Sequence, residues 1–404
     1  MLSAVIIKNF FSFKEETRIE LNTGVNILLG INGSGKTSFI NALRLLFEGI
    51  TGDGVEKLLQ TQWGGFGQII NCTGKDKGNN IQLTFIFDNY EVNKFNHSAN
   101  FHSSVYYRIT INPLGSTDYF LDEKLWTEHS QDSNKSFVYL DFHNGQGHLS
   151  KRTQKFGVDF QNYTNGDISS HEFVLRQIND PNQYLPIHTI RKSIESISVY
   201  NSFDTGESSS LRRITEFSTG ERLWKDGKNL TQILNNLKNN HSLDFEKIEN
   251  ELNKVNPVYK NIEISNIAGQ AYLSLREKNL DKTIGALHIS DGTLRFLLLE
   301  SIFLNSARGN LVAIDEPERG LHPDMIRSVA DMIKFAVSEC QIILATHSPY
   351  LLNQFSLDDI LVFEKNELNS TIIRKVSEDD YSAYDDELLP GQLWLKGELG
   401  GKRW

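Results

Sequence analysis

Gly30-Ile31-Asn32-Gly33-Ser34-Gly35-Lys36-Thr37 is the stretch that decides how this chain is read. It fits the pattern G-x-x-x-x-G-K-[ST] at every position. The apolar run Val25-Asn26-Ile27-Leu28-Leu29 before it reads as a strand. Thr37 to Phe47 behind it reads as a helix, with Phe39, Ile40, Leu43 and Leu46-Phe47 on one stripe. The glycines let the backbone curl so that successive N–H groups point inward at phosphate oxygens. The helix start adds the positive end of a dipole. Lys36 is expected to reach the β- and γ-phosphates, and Thr37 to offer its hydroxyl to Mg2+. Asn32, Gly33, Ser34, Gly35 and Ser38 complete the expected nucleotide contacts. A chance glycine-rich turn has no reason to carry Lys-Thr between a strand and a helix.

Three further clusters lie far down the chain. Leu311-Val312-Ala313-Ile314 is an apolar strand that ends in Asp315-Glu316. A carboxylate at the C-terminal end of a buried strand suits Mg2+, which assigns Asp315 to the metal. Glu316 is then the candidate general base that polarises an attacking water. Taken alone, such a pair is usually a strand reaching the surface; it gains weight beside the phosphate loop. Ser290-Asp291-Gly292-Thr293-Leu294-Arg295 precedes the apolar helix Phe296 to Leu304. A Ser and a Gly at a helix start make a second anion site, although an ordinary N-cap has the same composition. Ala345-Thr346-His347-Ser348-Pro349 follows the strand Gln341 to Leu344. Its order and spacing point His347 at the γ-phosphate.

The rest of the chain fills in an architecture. Residues 4–7, 81–87, 105–111 and 137–142 read as strands, and residues 51–80 as a long loop rich in Gly, Asn and Thr. A joint is expected at 201–210. Helices are expected over 230–237 and 245–252, and strands near 259–264 and 270–276. From Leu294 onward, helices alternate with strands at 311–314, 341–345 and 359–364, the pattern of a parallel sheet covered by helices. The expected fold is α/β with a mixed parallel and antiparallel sheet. Residues 1–50 and 257–404 would form the nucleotide-binding core of a single head. Residues 51–200 would be an inserted, mainly β region, and 201–256 a small helical lobe.

The order of these motifs resembles the ABC-type ATPase head: a Walker A loop (Gly30 to Thr37), a signature sequence (Ile289 to Thr293), a Walker B strand (Leu311 to Glu316) and a switch histidine (His347). Glu316-Pro317-Glu318, Gly320-Leu321-His322-Pro323 and Thr346-His347-Ser348-Pro349 are similar to the RecF, SMC and OLD-like branch rather than to transporters. Asn9-Phe10 with Ser12-Phe13 has the same flavour. The stand-alone bacterial "AAA family ATPases" of RecF-like type share Ser290 to Arg295, Asp226-Gly227-Lys228-Asn229-Leu230, and a tail like Leu393 to Gly401. Residues 1–50 and 220–404 carry the resemblance. It implies ATP and Mg2+ sandwiched between two copies of the chain. Lys36, Thr37, Asp315, Glu316 and His347 would act from one copy, and Ser290 and Gly292 from the other. It also implies a glutamine after the first helix, for which Gln60, Gln62 and Gln68 are all candidates. The biology it suggests is an ATPase switch in DNA repair or anti-phage defence, working as a homodimer or larger homo-oligomer with a separate effector such as a nuclease. The alternatives are a transporter's nucleotide-binding subunit and an ATP-binding scaffold without turnover.

Composition narrows these readings. The 404 residues suffice for a large core, and 39% hydrophobic with 23% charged is ordinary for a globular chain. Neither a membrane span nor a signal peptide is read. Cys72 and Cys340 read as reduced thiols, which points to the cytoplasm. The net charge of -10 does not favour nucleic acid by bulk electrostatics. Lys151-Arg152 with Lys155, Arg191-Lys192, Arg212-Arg213 and Lys402-Arg403 are the local basic clusters, each read first as solvated surface. No nuclease centre is legible. His143 and His148 lack partners at zinc spacing, and Glu378-Asp379-Asp380 with Asp385-Asp386-Glu387 reads as a solvated acidic loop.

Overall fold

The computed structural model describes residues 1–400 apart from 73–78, 130–135, 153–157, 165, 217–219, 268 and 382–388. Lys155, Asp385-Asp386-Glu387, Gly401 and Lys402-Arg403 therefore lie outside the described residues. The chain divides into two compact units. One comprises Met1–Ile197 and Leu361–Lys375, the other Ser198–Ile360 and Val376–Gly400.

In the first unit eight strands form one sheet. Their spatial order is Thr17–Glu20, Leu2–Lys8, Ile81–Phe87, Val105–Leu114, Asp118–Thr127, Phe137–His143, Gln146–Arg152, Val158–Tyr163. Every neighbouring pair is antiparallel. Burial alternates along Asp118–Thr127, where Tyr119, Leu121, Glu123, Leu125 and Thr127 are buried and the residues between them are not. That is the period of two expected of a sheet with one covered face. The helices Lys36–Thr51 and Leu185–Glu195 pack on one another and on the turn Val174–Gln177. Separately, the strand Val25–Leu29 is buried along its whole length and lies beside Ile360–Lys365. Ile360–Lys365 in turn pairs antiparallel with Thr371–Lys375.

In the second unit Leu311–Asp315 and Gln341–Thr346 run parallel, with Ile197–Tyr200 beside the former. The helix Asp291–Phe303 is apolar nearly all round, so it is buried nearly all round. It packs against Pro323–Ala336 and against the helix pair Leu230–Asn240 and Ser242–Val255. A small antiparallel sheet joins Thr215–Glu216, Gln270–Glu277 and Tyr259–Ile267, with Ile284–Gly285 on its edge.

The mixed α/β fold is as expected, but the loop expected over 51–80 is not. Residues 51–80 are not simply a loop: the first helix runs on to Thr51, Lys57–Gln62 form a π-type turn, and Phe66–Ile69 form a helical turn. Leu58, Leu59 and Ile69 are fully buried, and this anchoring overrides the loop-like composition around them.

Candidate functional site

The phosphate loop belongs to the first unit. Gly33 and Gly35 hold φ values of 79° and 115°, which an L side chain rarely adopts. A Cβ on Gly30 would overlap the Ser34 side chain and the Phe363 carbonyl; one on Gly35 would overlap Thr371 and Ser12. The loop is thus closed tightly on its inner side, while Asn32, Gly33 and Thr37 are exposed. Lys36 is buried and folds its ammonium back over the loop, 2.6 Å from the Gly30 carbonyl and 3.1 Å from that of Ile31. Ser34 Oγ is buried and has no hydrogen-bond partner.

Beneath the loop lies a chain of hydroxyls that sequence reading missed. Thr371 Oγ1 is 2.8 Å from the Ser34 carbonyl and 2.7 Å from Ser12 Oγ, which is 2.9 Å from Ser38 Oγ. A carbonyl can only accept, so the Thr371 hydroxyl donates to Ser34. The Thr371 amide also donates to the Ser12 carbonyl at 2.8 Å. Ser12 is brought there by a bend in which Asn9 and Phe11 hold φ values of 56° and 45°. The Phe11 amide donates to the Ile69 carbonyl and the Asn71 amide to that of Asn9. Phe10 and Phe11 close an edge-on aromatic cluster with Trp63. Asn9-Phe10 with Ser12-Phe13 is therefore the strap that holds the loop from below. The three candidate glutamines are all exposed. Gln62 accepts from Arg44, Gln60 donates to Asp118 at 3.3 Å, and Gln68 lies beside Gly64.

The carboxylates belong to the second unit. Asp315 is the last residue of its strand, as expected. Glu316 adopts φ 49°, uncommon for a residue with a side chain, and its amide donates to the Ala345 carbonyl at 2.8 Å. The bend turns its carboxylate toward His347, whose Nδ1 lies 3.2 Å from Oε1. Arg319 lies 3.9 Å from the other oxygen. Glu318 accepts from the Thr346 hydroxyl, which itself accepts from the Ser348 amide at 3.0 Å. Burial raises the Glu318 carboxyl above its usual range. This unit therefore brings Glu316 and His347 together and stiffens the His347 turn through Thr346.

Ser290 and Gly292 sit at the start of Asp291–Phe303. Ser290 Oγ accepts from the Thr293 amide at 3.2 Å, so it is an N-cap in its own right, and it is also exposed. Gly292 faces the Gly320 carbonyl, 3.3 Å from where a Cβ would stand. Arg212, read as surface charge, is buried in this region.

The remaining candidates resolve into local contacts. Arg191 and Lys192 both pair with Glu195. His143 does have an acidic partner, Asp122 at 2.7 Å, brought from a neighbouring strand rather than from nearby sequence. His148 stands edge-on to Phe160. Glu378 accepts from Ser356. Among the described residues no group of three His, Cys, Asp or Glu could hold a metal, and no helix is long and apolar enough to cross a membrane.

A glycine-rich phosphate loop, a strand ending in Asp-Glu, and mixed parallel and antiparallel sheets define an SMC- and RecF-like ABC-type ATPase fold. The chain belongs to the family described as AAA ATPase domain, which matches residues 1–352 and so runs through the middle region where motif resemblance is weak. The fold is similar to an Smc head bound to the C-terminal winged-helix domain of ScpA, with a TM-score of 0.59 at 15% identity, covering 94% of this chain and 99% of that one. It is also similar to an Smc head domain with an extended coiled coil bound to the C-terminal domain of ScpA, derived from Pyrococcus furiosus. There the TM-score is 0.56 at 13% identity, covering 94% and 97%. No curated protein matches the sequence.

Proposed function

We propose that this chain binds and hydrolyses Mg-ATP as a dimerisation switch. The observation that carries the reading is the phosphate loop: glycines at positive φ, a buried Lys36 and an orphaned Ser34 hydroxyl, a set that phosphate oxygens would satisfy. Loop N–H groups and Lys36 hold the phosphates. Thr37 and Asp315 would hold Mg2+, which would supply positive charge to offset the negative charge of the phosphates. Glu316 takes a proton from the attacking water, and the imidazole of His347 orients that carboxylate. Ser290 and Gly292 act on nucleotide held by a second copy, so ATP draws two copies together and hydrolysis releases them. A cytoplasmic role in DNA repair or anti-phage defence with a separate effector rests on likeness to RecF-like proteins, an argument by analogy.

The test is Lys36→Ala. Titration with a fluorescent ATP analogue should show binding weakened at least about 100-fold, because the charge facing the phosphates is gone. Affinity equal to the unaltered protein would remove the phosphate-loop assignment.

A further inference from the structure

Arg212 stands out as a buried cation with a complete set of partners and no place in the roles assigned so far. It ends the single turn Ser210–Arg212, which Ser209 opens by accepting from the Leu211 amide. Its Nε donates to the Thr205 carbonyl at 2.9 Å and lies 3.1 Å from that of Gly206. Its Nη1 reaches the carbonyls of Ala286 at 2.9 Å, Leu287 at 3.2 Å and Ile289 at 2.6 Å. Its Nη2 donates to the Asp291 carboxylate. One planar fork thus ties the bend at 205–206 to the single turn Ala286–His288, to the Ile289 carbonyl and to the Asp291 carboxylate, the stretch that leads into Ser290-Asp291-Gly292.

That distribution matters. A guanidinium offers five N–H groups in fixed directions, whereas an ammonium offers three from one point and cannot span both sides. The carbonyls of Ala286 and Ile289 belong to buried residues, so leaving them unpaired would be costly. Leu287, within this turn, is 55% exposed, and Ser290 is exposed. The turn thus exposes Leu287 and Ser290 while the Arg212 guanidinium binds its carbonyls from the buried side.

We infer that Arg212 is a positioning residue for the Ser290-Gly292 helix start, fixing the surface that one copy offers to the nucleotide on another. This rests on the proposed action of Ser290 and Gly292 in trans.

The experiment uses the full chain and mixed populations. Arg212→Lys alone should bind the fluorescent ATP analogue within about twofold of normal, yet lose about tenfold or more in kcat. Asp291→Asn, which loosens the fork without emptying it, should show the same split to a smaller degree. Mixed with Lys36→Ala, Arg212→Lys should regain turnover, because its intact phosphate loop meets an intact Ser290 turn on the partner. Ser290→Arg mixed with Lys36→Ala is the control. If the control recovers and the Arg212→Lys mixture does not, Arg212 serves general stability and the inference is overturned while the action in trans stands. If neither recovers, the action in trans falls and takes this role with it. Loss of nucleotide binding in both single variants would likewise overturn the inference.

Discussion

Thr371 is the residue whose role is hardest to see from sequence and simplest to test. Its hydroxyl donates to the Ser34 carbonyl, and its methyl side closes against Gly35. Thr371→Val keeps the volume and removes the donor, leaving a buried carbonyl of the phosphate loop unpaired. A lost hydrogen bond of this kind costs about 1–2 kcal/mol. Part of that cost should appear in binding, since the loop must hold one shape to face phosphates. ATP affinity is expected to fall about 3- to 10-fold, with little change in secondary structure by circular dichroism. Isothermal titration that returned unchanged affinity would show that the loop keeps its shape without the strap. The signal for Thr371 is absent from the sequence because its partners, Ser12 and Ser34, stand more than 300 positions away. Arg212 was misread for a related reason: it donates mainly to backbone carbonyls, which every residue carries. The bend of the phosphate-loop glycines and the strand end at Asp315 were legible because such conformations depend on neighbours within a few positions.

At the scale of elements, the strand Asp118–Thr127 shows what hides structure from a pattern reader. Tyr119, Leu121 and Leu125 alternate as a half-buried strand should, but Glu123 occupies the buried face between them. The carboxyl is accommodated by the Tyr107 hydroxyl and by the Val174 amide, which donates at 2.6 Å at the start of the turn Val174–Gln177. Burial nevertheless dominates and raises its pKa to about 7. The folded unit holds a proton that the unfolded chain releases near the ordinary carboxylate pKa, so this group favours folding most below that value. Its contribution declines as pH rises from about 4.5 to about 7 and stays low above. The loss amounts to roughly 3 kcal/mol at most, by the pKa-to-energy conversion. Urea unfolding of the wild type at pH 5 and pH 8, compared with Glu123→Gln, measures it. The variant should lose most of this slope; an unchanged slope would move the titrating group elsewhere. The same region explains why 51–80 misled composition: Leu58, Leu59 and Ile69 anchor a segment whose glycines suggest a loop. By contrast the strands 25–29 and 81–87 were legible at their ends, because unbroken apolar or alternating runs leave little choice of structure.

At the scale of the whole molecule, a net charge of -10 opposes self-association, so any dimer needs a short-range gain to offset a long-range repulsion. Nucleotide supplies such a gain only if both copies touch it, which is what exposed Ser290 and Leu287 would permit. Glu316→Gln should hold ATP without hydrolysing it, since the amide cannot accept the proton from water. Light scattering of that variant is then expected to show twice the chain mass with Mg-ATP and the single mass without it. Raising salt from about 0.05 to about 0.3 M should strengthen the ATP-bound dimer, because screening within roughly 10 Å weakens the repulsion. Salt that instead dissolved the dimer would mean that charge pairs across the interface, not shared nucleotide contacts, hold it together. A mass that ignores ATP at every salt concentration would remove the switch altogether. In that case Lys36 and Glu316 would have to work inside an assembly that nucleotide neither builds nor takes apart.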